Sequence, residues 1–173
     1  MMSRFAGVLL AATILASTST VEAQSPPVSR SAPSAPSLTI RGLDGSEHLF
    51  TASELARLRR VDTTVSAHMV SGRYGGVLLS ELLSLAGAPH GDSLRGKALA
   101  TYMVVVGADG YRVVFGLADF DPAFTDRIAI LADTKDGSAL PAGEGPYHLI
   151  IPGERRPARW VRQVVRIELQ RAP

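Results

Sequence analysis

Short apolar runs, each closed by glycine, proline or aspartate, recur along the chain from Leu38 onward. Leu38–Arg41 and Glu47–Phe50 flank Gly42-Leu43-Asp44-Gly45. This predicts an opening hairpin, because glycine and aspartate accept the backbone angles of a tight turn. Thr51-Ala52-Ser53-Glu54 has the spacing of a capping box, in which hydroxyl and carboxylate satisfy free amides at the start of a short helix toward Leu55 and Leu58. Val61, Thr63 and Val65 alternate with polar neighbours as a half-buried strand does, ending near His68. Ser71–Gly76 reads as a connecting loop. Val77–Leu85 then reads as an amphipathic helix, with Gly87 just past its end and Pro89 preventing continuation.

The second half is strand-rich. Tyr102–Val106 and Tyr111–Phe115 are β-branched and aromatic runs around Gly107-Ala108-Asp109-Gly110, the clearest hairpin of the chain. Ile128–Leu131 supplies another strand, Lys135-Asp136-Gly137 turns it, and Tyr147–Ile151 continues the sheet until Pro152-Gly153 breaks it. Val161, Val164, Ile167 and Leu169 close the core. Strands outnumber helices, and neither an internal repeat nor a βαβ series is visible, so the expected class is α+β, built on a mixed β-sheet with a few short helices.

The start of the chain has a different composition. Arg4, the apolar run Phe5–Ala16 and the small residues around Val21-Glu22-Ala23 follow the secretory pattern, giving a signal peptide over residues 1–23. The run is too short to span a bilayer, which takes about 20 apolar residues. The expectation is therefore a periplasmic or otherwise secreted protein with no stable membrane insertion after cleavage. Gln24–Ser37 alternates Ser, Pro and Ala and predicts a flexible linker over 24–37, ahead of one folded domain over 38–171. Export permits disulfides, but the chain has no cysteine, so stability must come from core burial.

Charge narrows the chemistry. Eighteen Lys and Arg against sixteen Asp and Glu give +2, and only the stretch around Arg155–Arg166 is locally basic. No nucleic-acid partner is indicated. A Gly-x-Ser-x-Gly elbow, a His-Glu-x-x-His helix and cysteine pairs are all missing, which removes the usual hydrolase and zinc readings. Asp119, Asp121 and Asp126 depart from the spacing of a calcium loop.

Several motifs in order carry a family likeness: Gly76-Val77-Leu78-Leu79 with Leu82-Leu83 and Ala86-Gly87, then Asp109-Gly110-Tyr111, Asp136-Gly137, Leu140-Pro141, Gly145-Pro146, Leu149-Ile150-Ile151-Pro152-Gly153 and Arg159-Trp160-Val161. The order resembles the sulfite-oxidase-type oxidoreductase molybdopterin-binding domain, from about Leu38 to Leu169. That resemblance implies a groove holding the phosphate and ring edges of molybdopterin through basic side chains and backbone amides. Arg159 stands where the family often has lysine, and its planar fork grips phosphate bidentately. Arg155 and Arg156 precede it. The family's metal-ligating cysteine maps to the stretch Thr64–Tyr74, where this chain has Ser66, His68 and Ser71.

Arg155, Arg156, Arg159 and His68 are thus the candidate cofactor-binding residues, with no metal ligand assigned. His68 enters because imidazole ligates metals and titrates near neutrality, although a strand-end histidine is commonly structural. Neither serine nor histidine reproduces thiolate donation to a soft metal. The preferred expectation is an exported binding or accessory domain for a pterin or another small anion. The alternatives are an active molybdenum oxidoreductase with unconventional ligation, and a module that docks an envelope protein through its tethered domain.

Overall fold

The computed structural model of the chain describes residues 36–173. The expected signal peptide over 1–23 and the linker up to residue 35 lie outside the described residues. Ser37 opens the first strand, and the Pro36 carbonyl accepts hydrogen bonds from the Ala52 N–H and the Tyr147 hydroxyl. These two residues are therefore part of the fold.

In chain order the elements are β1 (Ser37–Arg41), β2 (Glu47–Thr51), α1 (Ala52–Leu55), β3 (Arg60–Ala67), β4 (Val70–Leu78), α2 (Leu79–Leu85), β5 (Thr101–Gly107), β6 (Arg112–Gly116), β7 (Ile130–Lys135), β8 (Ser138–Ala139), β9 (His148–Ile150) and β10 (Val164–Arg171). They form two mixed-order sheets. One runs β2-β1-β10-β5-β6, with β1 parallel to β10 and the other pairs antiparallel. The other runs β3-β4-β7, with β8 and β9 both pairing with β7. The α+β class read from the sequence is the observed one.

The inner faces share one core. Leu38, Ile40, Met103, Val105 and Ile167 of the first sheet join Tyr74, Ile130 and Leu149 of the second, with Leu79 and Leu82 of α2, all fully buried. Each such side chain contributes about 1.5–3 kcal/mol on leaving water, which is how a cysteine-free chain holds together. The capping box forms as its spacing implied: the Glu54 amide donates to Thr51 Oγ1, and the Thr51 amide donates to Glu54 Oε2 at 2.7 Å. Lys135-Asp136-Gly137 turns β7 into β8 with Asp136 at φ 51° and Gly137 at φ 80°.

The main correction concerns residues 70–78. Read as a loop entering a helix, they form β4, paired with β3 from Arg60↔Val77 to Ala67↔Val70 and with β7 on its other side. The helix starts only at Leu79. Glycines at 72, 75 and 76 looked like connector chemistry, but at Gly76 the reason is packing: a Cβ there would overlap the Leu131 carbonyl and the Ala132 backbone. The missing side chain lets β7 approach β4. Two strand limits also move, since Ile128–Leu131 becomes Ile130–Lys135 and Tyr147–Ile151 contracts to His148–Ile150.

Candidate functional site

Past β9 the chain turns at Pro152-Gly153, where Gly153 has φ 83° and no Cβ is tolerated cheaply. It then makes a single 3-10 turn over Pro157–Arg159. Proline presets φ at the start of that turn, and the following Trp160 and Val161 are buried in the core, so the arginines before them are held against the body of the domain. The Tyr111 hydroxyl donates to the Ala158 carbonyl at 2.7 Å, pinning the turn to the β5–β6 hairpin.

This loop and Arg127, which enters from the segment before β7, surround an open groove of about 550 Å³ lined by Arg127, Glu154, Arg155, Arg156 and Arg159. Arg159 is engaged on two sides: its Nη2 donates to Glu154 Oε1, and its guanidinium lies 5.0 Å from the centre of the Phe115 ring. Arg127, Arg155 and Arg156 are exposed and form no ion pair among the described residues. One carboxylate against four guanidiniums leaves the groove positive, and such a concavity concentrates anions. Glu154 Oε2 is buried with no donor, an acceptor that an N–H group of a ligand would satisfy.

The structure thus brings Arg155, Arg156 and Arg159 together and adds Arg127, which lies too far back in the sequence to be found by local charge. His68 is elsewhere. It sits at the exposed tip of the β3–β4 hairpin with φ 55°, beside Met69. Ser66 and Ser71 face each other across that hairpin as register partners, both exposed. Among the described residues no group of three His, Cys, Asp or Glu side chains is placed to hold a metal.

A second constellation surrounds the buried Tyr74 and His148. Glu144 Oε1 accepts from Lys135 Nζ at 3.3 Å, and its Oε2 accepts from the Tyr74 hydroxyl at 3.4 Å. Oε2 also lies 3.3 Å from His148 Nδ1, but without hydrogen-bond geometry, so both His148 ring nitrogens are left unpaired. The Tyr74 and His148 rings meet edge to face at 5.9 Å, and the Lys135 ammonium lies 5.1 Å from the centre of the Tyr74 ring.

Burial pushes the His148 imidazole down to about 4, against the attraction of Glu144, while the charges of Arg162 and Lys135 add to the depression. At neutral pH the histidine is uncharged, and its approach to Glu144 is not an ion pair. Glu144 is raised by burial, but Lys135 and His148 outweigh that and hold it below its usual range. Burial raises the Tyr74 hydroxyl. The sequence signal for this cluster was a titratable residue inside the apolar run Tyr147–Ile151.

Two sheets with β1 parallel to β10 and a few short helices make this an α+β fold. A solved structure with this fold is the sulfane dehydrogenase SoxCD from Paracoccus pantotrophus, at 24% identity and TM-score 0.59. The likeness covers 77% of this chain but only 37% of that one. No protein-family model matches the chain, and no curated protein does.

Proposed function

We propose that this domain binds a phosphate-bearing, pterin-like anion in the groove of Arg127, Arg155, Arg156 and Arg159, as a binding or accessory protein. The observation that carries the reading is the convergence of four arginines from two separate loops on a sulfite-oxidase-like fold. Guanidiniums suit phosphate oxygens, and the orphaned Glu154 Oε2 suits the N–H edge of a heterocycle. The residues therefore fit the organic part of molybdopterin.

They do not fit its metal in the usual way. The chain supplies no thiolate, Ser66, His68 and Ser71 sit on an exposed hairpin, and no group of three His, Cys, Asp or Glu side chains is placed to hold a metal among the described residues. No redox step is assigned. Export, and an envelope partner reached through the Pro/Ser segment, belong to the same proposal. No helix among the described residues is long and apolar enough to cross a membrane.

Calorimetric titration of the purified full chain with inorganic pyrophosphate and with a phosphorylated pterin tests the reading, alongside the Arg155→Ala/Arg156→Ala double variant. Binding that the folded double variant weakens about tenfold supports it. Absence of binding for both probes overturns it. Stoichiometric molybdenum in protein purified from its native host would instead favour an oxidoreductase with unconventional ligation.

A further inference from the structure

A second cavity, separate from the arginine groove, lies beside α2. Ser80, Glu81, Leu83 and Ser84 form one wall, spaced so that they share a helix face. The helix ends at Leu85, and past Gly87 (φ 77°) the chain folds back through Ala88-Pro89-His90 to make a rim. Leu117 and Phe120, on and just after the 3-10 turn that follows β6, supply the apolar floor. The cavity is half-open, with a volume of about 370 Å³, within the range of about 300–1,000 Å³ in which small-molecule sites fall.

Asp121 makes this more than an apolar dent. It is 94% buried, at 6% exposure. Its Oδ2 accepts from the Gly91 N–H and its Oδ1 from the Ala123 N–H, both at 2.8 Å. The carboxylate therefore staples the two rims together, yet each oxygen keeps lone-pair capacity. It forms no ion pair among the described residues. Glu81 lines the same cavity half-buried, and no lysine or arginine does. Two backbone N–H groups hold the carboxylate in place, and a ligand cation would add the opposite charge that most stabilises a carboxylate out of water.

We propose that this cavity is a binding site for a small organic cation with an apolar body, of the arylalkylammonium class. The ring or chain packs on Leu83, Leu117 and Phe120, and the ammonium lies toward Asp121 and Glu81. This charge preference is opposite to that of the arginine groove, so the two sites take different ligands and either can fail alone.

The test is an amide-resolved NMR titration of the full chain with 2-phenylethylammonium, 2-phenylethanol and phenylacetate, which share a ring and differ in charge. The expected result is saturable shifts at the amides of Ala88, His90, Gly91, Phe120, Asp121 and Ala123 with the ammonium. The alcohol should bind roughly tenfold more weakly, the equivalent of one charge-assisted contact, and phenylacetate more weakly still. Glu81→Gln should lower affinity for the ammonium several-fold, with the alcohol unaffected. Ser84→Phe should abolish binding by filling the cavity.

Equal affinity for the three probes, preference for phenylacetate, or shifts that survive Ser84→Phe would overturn the proposal. So would the absence of shifts with millimolar ammonium. Asp121→Asn should weaken the ammonium further, and if that variant does not fold, the comparison of probes on the unchanged protein still decides.

Discussion

The arginine groove and the Tyr74–His148 cluster each draw charged side chains from distant parts of the chain, and they differ in access to water. In the groove, Arg155 and Arg156 are exposed and cost little to keep charged, so they are free to act on a ligand. In the cluster, Tyr74 is fully buried and His148 is 2% exposed. There the histidine is forced neutral and Glu144 is held charged by Lys135. Solvent access separates residues available for binding from residues whose protonation is tied to folding.

The largest expected effect is in the cluster. Tyr74→Ala removes a fully buried ring from β4 and leaves Glu144 without its hydroxyl donor. It should cost about 4 kcal/mol in denaturant unfolding. A cost below about 1 kcal/mol would place Tyr74 outside the cooperative core.

Next comes pH. His148 is held near 4 when folded, against 6.5 for the free side chain, so the unfolded chain binds the extra proton first. Stability should be full above about pH 6.5 and fall by roughly 3 kcal/mol as pH drops to about 4. Glu144, lowered in the fold, adds a further loss only as pH falls below the ordinary carboxylate value of 4.5. His148→Gln should flatten the window between pH 6.5 and 4.5, and an unchanged slope in that variant would assign the acid sensitivity elsewhere.

Arg159→Ala should have an intermediate effect, because it strands the largely buried Glu154 carboxylate. The 41% exposure of the Arg159 side chain limits the loss. Unfolding should become easier by about 1–2 kcal/mol. The smallest stability effect belongs to Arg155→Ala/Arg156→Ala, within about 0.5 kcal/mol by thermal unfolding. That variant should nevertheless weaken pyrophosphate binding by roughly tenfold, with the remaining affinity falling as salt rises. A double variant that unfolds readily but binds normally would reverse the comparison.

Much of the first sheet was legible in advance. The Gly42–Gly45 and Gly107–Gly110 hairpins, the capping box at Thr51 and Glu54, and the inward positions Val164, Ile167 and Leu169 all depend on local rules of turn geometry, capping and alternation. Residues 70–78 were misread because Tyr74–Val77 are buried together in the middle of a sheet, so alternation vanishes and the glycines resemble a loop. Arg155, Arg156 and Arg159 were visible as a local basic run. Arg127 was not, because only the packing of the loop before β7 carries it to the groove.

The sequence by itself determined the α+β class, the turns and caps, the exclusion of thiolate chemistry and the basic stretch after Pro152-Gly153, since each follows from residue type or from neighbours a few positions apart. Tertiary structure decided that Glu144 neutralises Lys135 beside a buried His148, that Glu154 occupies Arg159, and that Asp121 staples the rims of an apolar cavity. Those outcomes depend on which side chains share a low-dielectric space, and residues brought together across tens of positions leave no periodic trace along the chain.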